Sequence, residues 1–96
     1  MKTREPRYGK EEYARRGKEW YRTVIRPKLG LEVKGKYVAI DIETGQFEIA
    51  DELLAASRAL YARVPDAQPW SERIGYLAVG SFAGHTPEDP EWSPAQ

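Results

Sequence analysis

Asp41 and Glu43 form the sharpest chemical pattern in the sequence, two carboxylates one residue apart at the end of the run Tyr37-Val38-Ala39-Ile40. Side chains at i and i+2 of a strand share a face, so the pair could hold Mg²⁺ for two-metal cleavage of a phosphodiester. The other chemistry-bearing residues are scattered. His85 is the only histidine, and the Pro-rich stretch around it offers nothing to orient an imidazole as base or ligand. Ser57, Ser71 and Ser81 lack the glycine elbow of a nucleophilic serine, and Gly75-x₄-Gly80 lacks the Lys-Ser/Thr of a phosphate loop. Absence of cysteine removes disulfides, thiolate metal sites and cysteine nucleophiles together. On these grounds no catalytic residue, metal site or cofactor is assigned, and a non-enzymatic role is expected.

The run from Tyr37 through Asp41-Ile42-Glu43-Thr44-Gly45 looks like the first motif of the DnaQ-like 3′–5′ exonucleases. That family needs two further acids and a general base on a larger ribonuclease-H-like sheet, and only 53 residues follow Glu43. His85 to Asp89 is one residue short of the family's His-x₄-Asp spacing. A metal-dependent hydrolase at Asp41 and Glu43 is therefore the weakest functional reading. Both acids are expected on the solvent side of a hairpin and its turn.

A second pattern is basic and aromatic. Arg15, Arg16, Lys18, Arg22, Arg26 and Lys28 crowd around Tyr13, Trp20 and Tyr21, a mixture suited to an anionic or apolar partner. Tyr13, Arg15, Arg16, Trp20, Tyr21 and Arg22 are the candidate partner-binding residues. The overall charge of zero hides a split: residues 1–36 hold twelve Lys and Arg against five Glu, a net +7, and residues 37–96 carry the compensating −7. Either the basic arm meets something anionic outside the chain, or it folds back on its own acidic half.

These residues sit on elements that the periodicity sketches. Tyr13, Gly17, Trp20, Tyr21 and Val24 recur at steps of three and four, so a basic amphipathic helical arm is expected over 11–28, stopped by Pro27 and weakened by Gly17. Val38, Ile40 and Ile42, then Phe47 and Ile49, alternate as a β-hairpin, with Gly45 supplying the positive φ of its connection. Asp51 stands where an N-cap belongs. The helix after it presents Leu53, Leu54, Ser57, Leu60, Tyr61 and Val64 as its apolar face and stops at Pro65. Trp70, Ile74 and Tyr76 suggest a third strand over 70–76, and 77–84 a weak fourth. The expected fold is α+β: a flexible 1–10, the helical arm, a ββαβ(β) core over 35–84 with a small antiparallel sheet on one helix, and a disordered acidic Pro-rich tail over 85–96.

The order Gly35-Lys36-Tyr37-Val38-Ala39-Ile40-Asp41-Ile42-Glu43-Thr44-Gly45, Glu48-Ile49, Asp51-Glu52-Leu53, Ala55-Ala56-Ser57, Pro65-Asp66-Ala67-Gln68 and Arg73-Ile74-Gly75-Tyr76 resembles a family of small uncharacterised bacterial proteins common in cyanobacteria. The likeness covers about residues 11–84. Members are often encoded beside a small retropepsin-like aspartic protease, which implies a toxin–antitoxin-like or protease–partner pair. Pro69 and Gly80-Ser81 depart from the family's pattern, which implies a third strand that starts late and a weak last one. The expectation is a non-enzymatic, antitoxin-like or accessory subunit that binds a partner protein, a nearby protease or toxin, or a second copy of itself. A nucleic-acid-binding regulator using the basic helix is the alternative. With no apolar leader and no ~20-residue apolar span, a cytoplasmic location is expected and no membrane contact.

Overall fold

A strand covered on both faces reads as a continuous apolar run, and Val38-Ala39-Ile40 is such a run. A computed structural model of the chain describes residues 8–76, 88–90 and 92–94. The fold is α+β, with two helices and a three-stranded antiparallel sheet. Strand β1 (Tyr37–Asp41) is central, flanked by β2 (Phe47–Ala50) and β3 (Pro69–Arg73). Val38 pairs with Ile49 on one side and Glu72 on the other.

The alternation of β1 sorts the core into two layers. Val38, Ile40 and Ile74 pack with Tyr21, Ile25 and Leu29 from the N-terminal helical segment. Ala39 packs with Ala56, Leu60 and Ala67 beneath helix α2 (Leu53–Arg63). The sheet is therefore sandwiched between helices rather than resting on one.

Helix α1 (Lys10–Trp20) runs on into a wider i→i+5 turn over Tyr21–Ile25, closed by Arg26 N–H donating to Tyr21 C=O, and then a 3₁₀ turn over Arg26–Lys28 that contains Pro27. Tyr21, Ile25 and Leu29, four residues apart, all enter the core. Gly17 lets α1 lie directly on β3: a Cβ there would come within 2.6 Å of Trp70 Cδ1 and closer still to Cγ. At the hairpin, Gly45 has φ of +81°, as the connection requires, and the Trp20 ring lies against its Cα.

Several expectations need correcting. Asp41 is buried, because the face of β1 opposite Val38 and Ile40 is covered by α2; only Glu43 of the pair is exposed. Asp51 is not the N-cap of α2. Its carboxylate pairs with Lys36, and Glu52 occupies the cap position without a side-chain hydrogen bond. Leu53 and Leu54 stand exposed, since the first turn of α2 overhangs the sheet and the buried side runs through Ala56 and Leu60. β3 begins at Pro69 rather than later. A proline at the first position of an edge strand removes no ladder bond, and the chain turns after Arg73, whose C=O accepts from Tyr76 N–H at 3.2 Å.

Part of the expected disordered tail is held in place. Glu88 forms a β-bridge with Tyr76, Asp89 N–H donates to Gly75 C=O at 3.0 Å, and Trp92 packs against the core layer that contains Tyr21, Ile25 and Leu29. The possible fourth strand over 77–84 and His85 lie outside the described residues. Among the described residues, no helix is long and apolar enough to cross a membrane.

Candidate functional site

The six candidate residues all lie on the N-terminal helical segment, and folding divides them. The rings turn inward. Tyr13 Oη donates to Pro69 C=O at 2.7 Å, and Trp20 Nε1 donates to Ile42 C=O at 2.8 Å, so both rings tie the helix to the sheet. Tyr21 is 5% exposed, and its hydroxyl lies beside the Gly75 backbone without a hydrogen bond of ordinary geometry among the described residues. Burial pushes both phenols, Tyr13 and Tyr21, up to about 12. Tyr21 is sealed in the core, whereas Tyr13 and Trp20 are half-buried, and Trp20 also lines a surface cleft with Arg15, Arg16 and Val24.

The cations turn outward, and many are neutralised by the chain itself. Arg15 grips Glu12 with two hydrogen bonds, Nε to Oε1 at 2.9 Å and Nη2 to Oε2 at 2.6 Å, and approaches Glu19 at 3.6 Å. Arg16 Nε donates to Glu12 Oε2 at 2.8 Å, and its guanidinium covers the Tyr8 ring. Further along, Arg26 pairs with Asp89 at 3.1 Å, Lys34 with Glu88 and Lys36 with Asp51. These three pairs join the basic and acidic halves, so three of the seven excess charges on each half are paired across the fold. Lys10, Lys18, Arg22 and Lys28 are exposed and have no ion-pair partner among the described residues.

Lys18 and Arg22 border a cleft of about 390 Å³, with Arg15 on the preceding turn and the ring of Tyr21 at its base. Glu72 of β3 lies in the same cleft, 8% exposed, with its Oε2 accepting from Trp70 Nε1 at 2.7 Å. Burial holds its proton above the ordinary value of 4.5, and Asp89 adds to this. The Trp70 hydrogen bond, then Lys18 and Arg26, act the other way. Sequence reasoning missed Glu72, although its alternation with Trp70 and Ile74 puts an acid on the apolar face of β3.

A raised carboxyl value stabilises the fold fully below the unfolded value of about 4.5, and that contribution is lost as pH rises through the higher folded value. At neutral pH the charged Glu72 is therefore a liability. The Glu72→Gln variant, whose amide oxygen still accepts from Trp70, melts above wild type at pH 7, and the gap closes below about pH 4.5. Thermal melts over that range check it; a variant that melts below wild type at pH 7 contradicts the assignment.

Asp41 and Glu43 are not brought together as ligands. Asp41 Oδ1 accepts from Glu43 N–H at 3.2 Å and from Gln68 N–H at 3.1 Å, and Oδ2 accepts from Thr44 Oγ1 at 2.8 Å. The carboxylate organises the hairpin turn and fastens it to the approach to β3. Among the described residues, no three or more His, Cys, Asp or Glu side chains are grouped to hold a metal ion. No known family profile, curated protein or solved structure matches this chain.

Proposed function

We propose that this chain is a non-enzymatic interaction protein, an antitoxin-like or accessory subunit of the cytoplasm, that binds a partner protein through the outward face of its basic amphipathic helix. The ββαβ core serves as the scaffold. The observation that carries the reading is the charge left over after folding. Lys18 and Arg22, which have no ion-pair partner among the described residues, stand beside a cleft that also offers the half-buried Tyr76 ring, with Glu72 buried beneath it. Apolar area beside unpaired charge gives a partner both affinity and orientation. The resemblance to proteins encoded beside retropepsin-like proteases makes such a protease, or a toxin, the partner class, with a second copy of the chain as the other partner.

Tagged full-length protein purified from its native host should bring down one stoichiometric protein, depleted several-fold by Arg22→Glu. Absence of any stoichiometric protein would reject the reading. Co-purified nucleic acid released steeply by salt would favour the second reading, a nucleic-acid regulator. Such a regulator would depend mainly on phosphate contacts, since Tyr21 is sealed in the core and Tyr13 and Trp20 are half-buried.

A further inference from the structure

An edge strand leaves every second residue's backbone groups pointing away from its sheet. On β3, Ile42 N–H donates to Gln68 C=O and Ile74 N–H to Lys36 C=O, which fixes the alternation: Trp70 and Glu72 bond to β1, while Pro69, Ser71 and Arg73 face outward. Pro69 has no N–H and its C=O accepts from Tyr13 Oη; the Arg73 C=O accepts from Tyr76 N–H. Among the described residues, Ser71 N–H, Ser71 C=O and Arg73 N–H are left without a partner.

These groups form the floor of a groove of about 290 Å³, with Lys18 of α1 on one wall, Leu53 of α2, 44% exposed, on the other, and the buried Glu72, whose carboxylate accepts from Trp70 Nε1, among its lining. Glu88 and Asp89 do not fill it, being engaged with Lys34 and Arg26. The opposite edge differs. Phe47 C=O accepts from Arg63 Nη2, and Asp51 and Glu52 flank the cleft beside it.

We infer that the β3 edge at Ser71 and Arg73 is a β-augmentation site that takes an extended acidic segment of a partner protein as a fourth strand. The backbone groups supply two to three ladder hydrogen bonds, Leu53 and the Trp70 ring supply apolar wall, and the exposed Lys18 selects carboxylates on the incoming strand; the Arg73 guanidinium, stacked on the Tyr76 ring with Nε donating to Gly35 C=O, adds positive charge at the end of the groove. The inference rests on the partner-binding reading and names the chemistry of that partner.

The probe is a seven-residue peptide alternating valine with glutamate, compared with its valine–lysine counterpart, and the readout is amide hydrogen exchange of the full-length chain at millimolar peptide. The glutamate peptide should slow exchange at Ser71 and Arg73 by at least about tenfold, with the lysine peptide without effect. Ser71→Pro, which removes an N–H the fold does not use, should abolish this protection while the β1–β3 amides stay protected. Lys18→Glu should reverse the peptide preference and guards against a misfolded Ser71 variant. Unchanged exchange at both residues, equal protection by both peptides, or protection that grows with protein concentration alone would each overturn the inference. The last outcome would make the occupant a second copy. A native partner that binds Ser71→Pro as tightly as wild type would overturn the edge while leaving partner binding intact; absence of any native partner would remove the proposed function, and the peptide titration would still decide the edge.

Discussion

The Asp41→Ala variant unfolds at least ~12 °C below wild type, a loss of about 3 kcal/mol from a domain of ordinary stability. The alanine strands Gln68 N–H inside the protein and frees Glu43 N–H and Thr44 Oγ1, which the carboxylate gathers into one turn. The loss also uncouples the hairpin from the chain entering β3, where Ile42 N–H donates to Gln68 C=O at 3.0 Å. Asp41→Asn is milder, about 1 kcal/mol, because its amide oxygen can serve both backbone N–H groups and its amine can face the Thr44 hydroxyl. Glu43→Ala, at an exposed position, changes stability little. A shared ligand role predicts the opposite pattern: Asp41→Asn and Glu43→Ala would weaken Mg²⁺ binding alike while leaving the apo fold intact. Thermal melts with and without Mg²⁺ separate the two.

Gly17→Ala is the second large effect, and its sign runs against helix propensity. Alanine in a helix interior is favoured over glycine by about 1 kcal/mol. Here the added methyl meets Trp70 Cβ, Cγ and Cδ1, so α1 must lift off β3 or Trp70 must leave its place beside Glu72. Overpacking of this kind costs about 1–3 kcal/mol, and lifting α1 also strains the Tyr13 and Trp20 hydrogen bonds to the sheet. The expected net change is a loss of about 2 kcal/mol. In a Trp70→Leu background the same substitution loses most of its effect, a coupling that denaturant melts of the two single variants and the double variant measure directly.

The hairpin was legible because period-two alternation from Val38 to Ile49 needs no information beyond the local chain. The same alternation misled at Asp41. It presumes one dry face and one wet face, whereas β1 is central and α2 covers the second. The small side chains of Ala39 and Ala56 are what allow that approach, and alanine reads as helix propensity rather than as core. For the same reason the largest residues of α2 were assigned to its buried face, yet Leu53 and Leu54 project past the sheet. At the N-terminus, spacing identified the helix but not where it docks; Gly17, read as a weak point, is the contact itself. Charge composition posed the choice between an external anion and self-neutralisation, and only the fold shows Arg26, Lys34 and Lys36 meeting Asp89, Glu88 and Asp51. Those pairs span 15 to 63 residues of sequence, beyond the reach of any local pattern. The tail illustrates this too, since its proline-rich composition says nothing of the core surface that receives Trp92.

The dissociation constant of the purified native complex, determined by titration calorimetry for charge-reversed chains, tests the central claim most directly. Lys18→Glu combined with Arg22→Glu should weaken binding at least about tenfold at low salt, with the difference narrowing as salt rises, whereas Lys28→Glu, away from the cleft, should change it less than about twofold. Equal losses from both chains, or none from either, would contradict a partner face built on Lys18 and Arg22.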